Sequence, residues 1–159
     1  MLTRYCPACW AENHGSVAYC KDCGAALAPP AGESYIEMLS WALEHPRPEV
    51  RLRAASFLGR LGTRATPALP HLFQVFRRTE DVYLRAEIAR ALGEIGGEEA
   101  GRFLLLMAGD PSVIVRLAAV KTMTSCCHRL PPGLRAEVAT ALRQLSVSDP
   151  SPSVRELAH

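Results

Sequence analysis

From about residue 34 to the end of the chain, apolar residues recur at intervals of three and four. Val50, Ala54, Phe57, Leu58 and Leu61 form one such stripe, and Leu84, Ile88, Ala91, Leu92 and Ile95 form its equivalent. This period places apolar side chains on one face of an α-helix. Each stripe closes on a glycine, Gly62 or Gly96, the residue that most readily ends a helix. Polar, proline-bearing turns precede the helices: His45-Pro46-Arg47-Pro48, Asp110-Pro111-Ser112 and Asp149-Pro150-Ser151-Pro152. Proline suits a first helical turn, and Asp or Ser can cap its free amides. A second helix is expected to return in each unit, over about Ala65–Arg77, Glu98–Ala108 and Leu134–Leu145. A single helix over about Ser34–Glu44 is expected to cap the array with Tyr35, Met38, Leu39, Ala42 and Leu43 turned inward.

The units repeat. Val50–Gly62 aligns with Leu84–Gly96 at an offset of 34 residues, a third copy begins at Val115 after 31, and a fourth at Val154 after 39. Leu130-Pro131-Pro132-Gly133 lengthens the third unit. Two-helix units of this length cannot bury their own apolar faces, so they stack into an all-α solenoid. The second helices are expected to line its concave face. Leu69, Leu72, Phe73 and Phe76 would then be core, with His71, Gln74, Arg77 and Arg78 nearer solvent. In the third unit Arg135, Glu137, Arg143 and Gln144 would take the polar side.

The motif D-P-S-x-x-V-R-x-x-A at Asp110–Ala119 and the pattern V-R-x-x-A-x-x-x-L-G-x-L-G at Val50–Gly62 resemble the short bacterial HEAT-like repeats. The resemblance covers roughly Ser34 to the end, about four-fifths of the chain, and is specific for fold rather than function. Proteins of that type are usually binding scaffolds, and some are phycobilin lyase subunits or DNA glycosylases. Arg51, Arg85, Arg116 and Arg155 hold one phase of the repeat. The resemblance implies that each meets a carboxylate or carbonyl in the adjacent turn, forming a ladder between units. A row of phosphate-binding arginines is the other reading.

Two departures stand out. Cys126 takes the apolar position of Leu61 and Ile95, and Cys127 replaces the terminal glycine. Cys126 reads as a small core residue. A metal site from Cys126, Cys127 and His128 is disfavoured, because adjacent helical residues point about 100° apart. The last helix is short, so Val154 and Leu157 are expected either to be exposed or to patch the preceding helix. An open end of this kind favours association, including a homo-oligomer.

The first part of the chain has a different logic. Cys6, Cys9, Cys20 and Cys23 form two C-x-x-C pairs, C-P-A-C and C-K-D-C, ten residues apart. Each pair can turn two sulfurs toward one point, and four thiolates are the ligand set of a closed, structural zinc site. Gly24 follows Cys23 where such a knuckle needs a permissive backbone. The segment resembles a zinc ribbon or rubredoxin-like knuckle pair. One structural Zn²⁺ is expected, with residues 1–27 as the ribbon, 28–33 as a Pro-rich linker and 34–159 as the solenoid. So small a module needs the ion to fold. Two disulfides, an iron–sulfur cluster or redox-active C-x-x-C, iron in place of zinc, and His14 as a competing ligand are the alternatives. The hydrophilic spacer between the pairs and the two further cysteines weigh against the first two.

Aromatic residues make up 6% of the chain, and the longest apolar run, Phe103–Ala108, is far short of a membrane span. With no apolar leader at the N-terminus, a cytoplasmic protein is expected. Formal net charge is +2 with the cysteines neutral. Four thiolates on one Zn²⁺ would bring it to about zero. The five histidines are scattered, and neither an H-E-x-x-H frame nor a phosphate loop nor G-x-S-x-G occurs. The chain therefore reads as a non-enzymatic scaffold for a protein partner, with Trp41 as a candidate hot spot. The alternative is nucleic-acid binding through the ribbon, where Arg4, Lys21, Tyr5, Tyr19 and Trp10 could hold and stack bases. A continuous basic stripe on the concave face would favour that alternative, and a mixed face would favour the scaffold.

Overall fold

The computed structural model describes residues 3–6, 8–14, 17, 19–25, 27 and 35–159, with the side chains of 3–5 excepted. The expected linker, 28–33, lies outside the described residues. Two short strands, β1 (Thr3–Tyr5) and β2 (Glu12–His14), pair antiparallel with Thr3 opposite His14. The rest is an all-α solenoid. A cap helix α1 (Tyr35–Ala42) leads into α2 (Pro48–Arg60), α3 (Leu69–Arg78), α4 (Val82–Ile95), α5 (Gly97–Met107), α6 (Val113–Cys126), α7 (Pro132–Ser148) and α8 (Pro152–Leu157). The V-R-x-x-A helices α2, α4, α6 and α8 stack side by side as one layer, and α3, α5 and α7 return behind them.

Local chemistry sets the boundaries. Asp81 caps α4 by accepting from the N–H groups of Tyr83 and Leu84 at 3.0 and 3.1 Å. Ahead of α6 and α8 the capping serines make no side-chain bond. Instead Asp110 and Asp149 accept from the N–H groups of Ser112 and Ser151, each at 2.8 Å, closing the turn one step earlier. Gly62 and Gly96 sit at φ of 58° and 72°, the left-handed region that ends a helix. The chain tightens into a 3-10 turn over Cys127–Arg129, as it does from Gly62. The returning helix of the first unit is not continuous from Ala65. Gly62–Ala68 is 3-10 and only Leu69–Arg78 is α-helical. Pro67, which has no N–H and disfavours the α conformation at Thr66, accounts for the break.

The first-helix layer is built for close approach. A Cβ on Gly59 would lie 2.9 Å from the Cα of Ala91, and one on Gly93 would lie 2.1 Å from Cγ2 of Thr122. The second helices α3 and α5 approach each other less closely than α2 and α4 do. The shorter spacing puts the first helices on the inner arc of the stack. This reverses the expectation that the second helices line the concave face. The polar residues named for those helices do face outward: Gln74, Arg77, Arg78, Arg135, Glu137, Arg143 and Gln144 are all exposed.

The core is one continuous cluster running from Leu39 and Leu43 through Leu58, Leu72, Leu84, Leu92, Leu104 and Met123 to Val154. Cys126 belongs to it, and Val154 is buried beneath the preceding helices, so α8 does patch the stack. Three residues expected in the core stand exposed, and a fourth, Phe73, is only half-buried and outside the core cluster. Phe57 is 40% exposed on α2, with the Arg60 guanidinium 5.7 Å above its ring. Tyr35 and Met38 also stand outward on α1. A stripe only two helical turns long cannot turn five residues inward, and Leu39 and Leu43 take the buried positions.

The repeated arginines form the expected ladder. Arg116 grips Asp149 through Nε and Nη2 at 2.8 and 3.1 Å, while its Nη1 reaches the carbonyls of Asp110 and Pro111. Arg85 pairs with Asp110, and Arg155 bonds the carbonyls of Asp149 and Pro150. Arg51 makes a looser contact to Asp81 at 3.5 Å.

Candidate functional site: a four-cysteine metal centre

The sulfurs of Cys6, Cys9, Cys20 and Cys23 all lie within 4.8 Å of one another. Cys6 Sγ is 3.5 Å from Cys23 Sγ, and Cys9 Sγ is 3.6 Å from Cys20 Sγ. A tetrahedral Zn²⁺ with bonds of about 2.3 Å requires sulfur–sulfur edges of about 3.8 Å. The spacing therefore fits one ion and is far too long for S–S bonds.

Two matching knuckles create this arrangement. In the first, Cys6 N–H donates to Ala11 O at 2.9 Å and Trp10 N–H to Cys6 O at 2.8 Å. In the second, Cys20 N–H donates to Ala25 O at 2.8 Å and Gly24 N–H to Cys20 O at 3.0 Å. Residues inside each turn point their amides at sulfur. Ala8 N–H and Asp22 N–H lie 3.4 Å from Cys6 Sγ and Cys20 Sγ. Trp10 and Gly24 hold the same position in the two knuckles, at φ of 60° and 73°. Gly24 adopts this conformation freely, whereas for Trp10 it costs about 1–2 kcal/mol.

The electrostatics express the same crowding. Burial opposes charge on Cys20, but N–H donors from Cys23, Asp22 and Asn13 draw its thiol down to about 6. At Cys9 the Ala11 N–H favours the thiolate. Competition with the neighbouring cysteine sulfurs nevertheless pushes its thiol up to about 12. Four sulfurs this close cannot all ionise without a cation among them, and a dication would reverse the penalty.

Asn13 is the residue that the spacing of cysteines did not reveal. It is 1% exposed on β2 and donates to Ala11 O at 2.8 Å and toward Cys20 Sγ at 3.7 Å. Its Oδ1 accepts from Lys21 N–H at 3.0 Å. It ties the two knuckles together behind the sulfurs. A polar residue amid a hydrophilic spacer carries no sequence signal for that role. Neighbouring His14 is exposed and is not one of the clustered ligands.

Of the residues proposed to stack bases, the side chains of Arg4 and Tyr5 lie outside the described residues. Tyr19 and Lys21 are exposed. Trp10 is turned against His45 of the solenoid, ring centres 5.1 Å apart. Cys127 donates to Thr124 O at 3.5 Å, and Cys126, Cys127 and His128 form no metal-binding cluster among the described residues. No helix among the described residues is long and apolar enough to cross a membrane.

A family model for HEAT repeats matches residues 69–159, more than half of the chain. The chain belongs to the HEAT repeat family. No curated protein matches it.

Proposed function

We propose that this protein is a non-enzymatic scaffold for a protein partner. A structural Zn²⁺ bound by Cys6, Cys9, Cys20 and Cys23 would fold a ribbon of residues 1–27. A linker, 28–33, joins it to a solenoid of residues 34–159, and the protein works in the cytoplasm. The observation that carries the reading is the outer face of α1. Tyr35, Met38 and Trp41 stand three residues apart on one stripe and are 52%, 44% and 42% exposed. Large aromatic and Met side chains in a row are the composition of a protein-binding surface. HEAT repeats commonly serve as such scaffolds. The inner face supports a protein rather than a polyanion, because Arg90 pairs with Glu87 at 2.6 Å and Glu94 stands beside it.

The test is affinity capture with the intact protein and with Trp41→Ala/Met38→Ala. A partner retained by the former and lost by the latter is the expected result. Tight, strongly salt-dependent binding of single-stranded DNA, with no protein partner retained, would overturn the scaffold in favour of nucleic-acid binding.

A further inference from the structure

Between α4 and α6, on the inner layer, lies an open groove of about 250 Å³. Three cations line it, Arg90, Lys121 and Arg129, against a single carboxylate, Glu94. Their placement follows from the repeat. Arg90 and Lys121 occupy the same phase of successive first helices, as do Glu94 and Ser125. The small residues Gly93 and Ala118 form the floor between them. Arg129 arrives from a different direction. It closes the 3-10 turn Cys127–Arg129, and its Nη2 donates to Gly93 O at 2.7 Å. That bond fixes the guanidinium at the end of the groove. The turn Cys127–Arg129 thus delivers an extra cation to the inner face.

We infer that this groove binds an acidic segment of a protein partner, its side-chain carboxylates received by Lys121 and Arg129. The inference rests on the scaffold reading and names the partner's chemistry. Charge complementarity selects the occupant: Arg90 is already paired with Glu87, so Lys121 and Arg129 against Glu94 leave one positive charge in excess. Arg129 keeps further donors for a carboxylate after its bond to Gly93, and Lys121 is exposed on the groove wall. Glu94 selects against a phosphodiester strand, which would bring repeated charge past it, yet suits a peptide as an acceptor for backbone N–H groups. The volume accommodates one or two acidic side chains rather than a run of nucleotides.

Fluorescence anisotropy of the zinc-loaded full chain with labelled hexaglutamate tests the inference, with an oligothymidylate of equal charge as the rival probe. Hexaglutamate should bind with an affinity that falls as salt rises. Lys121→Glu should weaken it at least tenfold, and Arg143→Glu on exposed α7 should leave it within about twofold. Both positions are solvent-exposed, so thermal unfolding should be unchanged. Equal binding by wild type and Lys121→Glu would overturn the groove, as would an oligothymidylate that binds more tightly and loses affinity in Lys121→Glu. The capture experiment on Trp41 reads the scaffold separately. A partner held by wild type and by Lys121→Glu alike leaves the scaffold standing and removes the groove.

Discussion

The indole of Trp10 meets the imidazole of His45 edge to face, their ring centres 5.1 Å apart and their planes at 72°. The contact joins the cysteine module to the turn between α1 and α2. Trp10 reaches it from a left-handed backbone position that its counterpart in the other knuckle fills with Gly24. His45 is buried, and its Nδ1 accepts the Arg47 N–H at 3.1 Å, which requires an unprotonated nitrogen. Burial first, and then the charge of Arg47, lower its pKa below the ordinary histidine value.

The pH behaviour of this contact follows. A lowered folded pKa means that the unfolded state takes up the proton first as pH falls. The contribution of His45 is therefore complete above about pH 6.5 and is lost below it. In a Trp41→Phe background, Trp10 emission should shift to the red as pH drops through this window. His45→Ala should show the shifted emission at every pH, and a pH-independent spectrum in the parent protein would contradict the contact.

The ion pairs of the solenoid should carry unequal weight. Arg116 and Asp149 are both largely buried and doubly bonded. Removing one partner leaves a buried charge, so Arg116→Ala should destabilise the solenoid by about 3 kcal/mol. Arg102→Ala, which breaks an exposed pair with Glu98 at 2.9 Å, should change stability by about 0.5 kcal/mol or less. The Arg116 guanidinium, aided by the Ser151 N–H, outweighs burial and holds the Asp149 carboxyl below the usual carboxylate range. Its contribution is present at neutral pH and lost as pH falls below about 4. Denaturant melts of wild type and Asp149→Asn should converge there.

Close helix approach makes a sharper demand on two glycines. Gly59→Ala would press Cβ against the backbone of Ala91, which cannot swing aside. The clash of about 2–3 kcal/mol should exceed the helix propensity gained, about 1 kcal/mol. Gly93→Ala meets only Cγ2 of Thr122 at that distance. Adding Thr122→Ser, which deletes this methyl, should restore its stability in thermal melts, while Gly59→Ala should remain destabilised.

Metal removal should act locally. One Zn²⁺ per chain is expected by elemental analysis, and chelation should alter Trp10 emission while leaving helical circular dichroism nearly intact. None of the four cysteines belongs to the solenoid core, and Cys6 and Cys20 form a separate small cluster with Leu27. Asn13→Ala should weaken metal affinity roughly tenfold through loss of the bond toward Cys20 and of the tie to Lys21. Unchanged affinity would assign Asn13 to packing alone.

The repeat, the order of the helices and the buried cysteine at 126 were legible in the chain, because periodic apolar spacing and fixed motif phase are local properties; the phase of the repeated arginines was legible too, but their carboxylate partners lie in the next unit. The sequence by itself also marked the four clustered cysteines, whose C-x-x-C spacing already confines each pair of sulfurs to one turn. Tertiary structure alone decided which layer is the inner one, since that depends on how near Gly59 and Gly93 let neighbouring helices come. It decided that Phe57, Tyr35 and Met38 face solvent, because a helical stripe is only as buried as its neighbours are wide. It placed Asn13 behind the sulfurs and Trp10 against His45, pairings between residues 7 and 35 positions apart that no local pattern encodes. It also brought Arg129 to Gly93, converting an irregular turn into one wall of a charged groove.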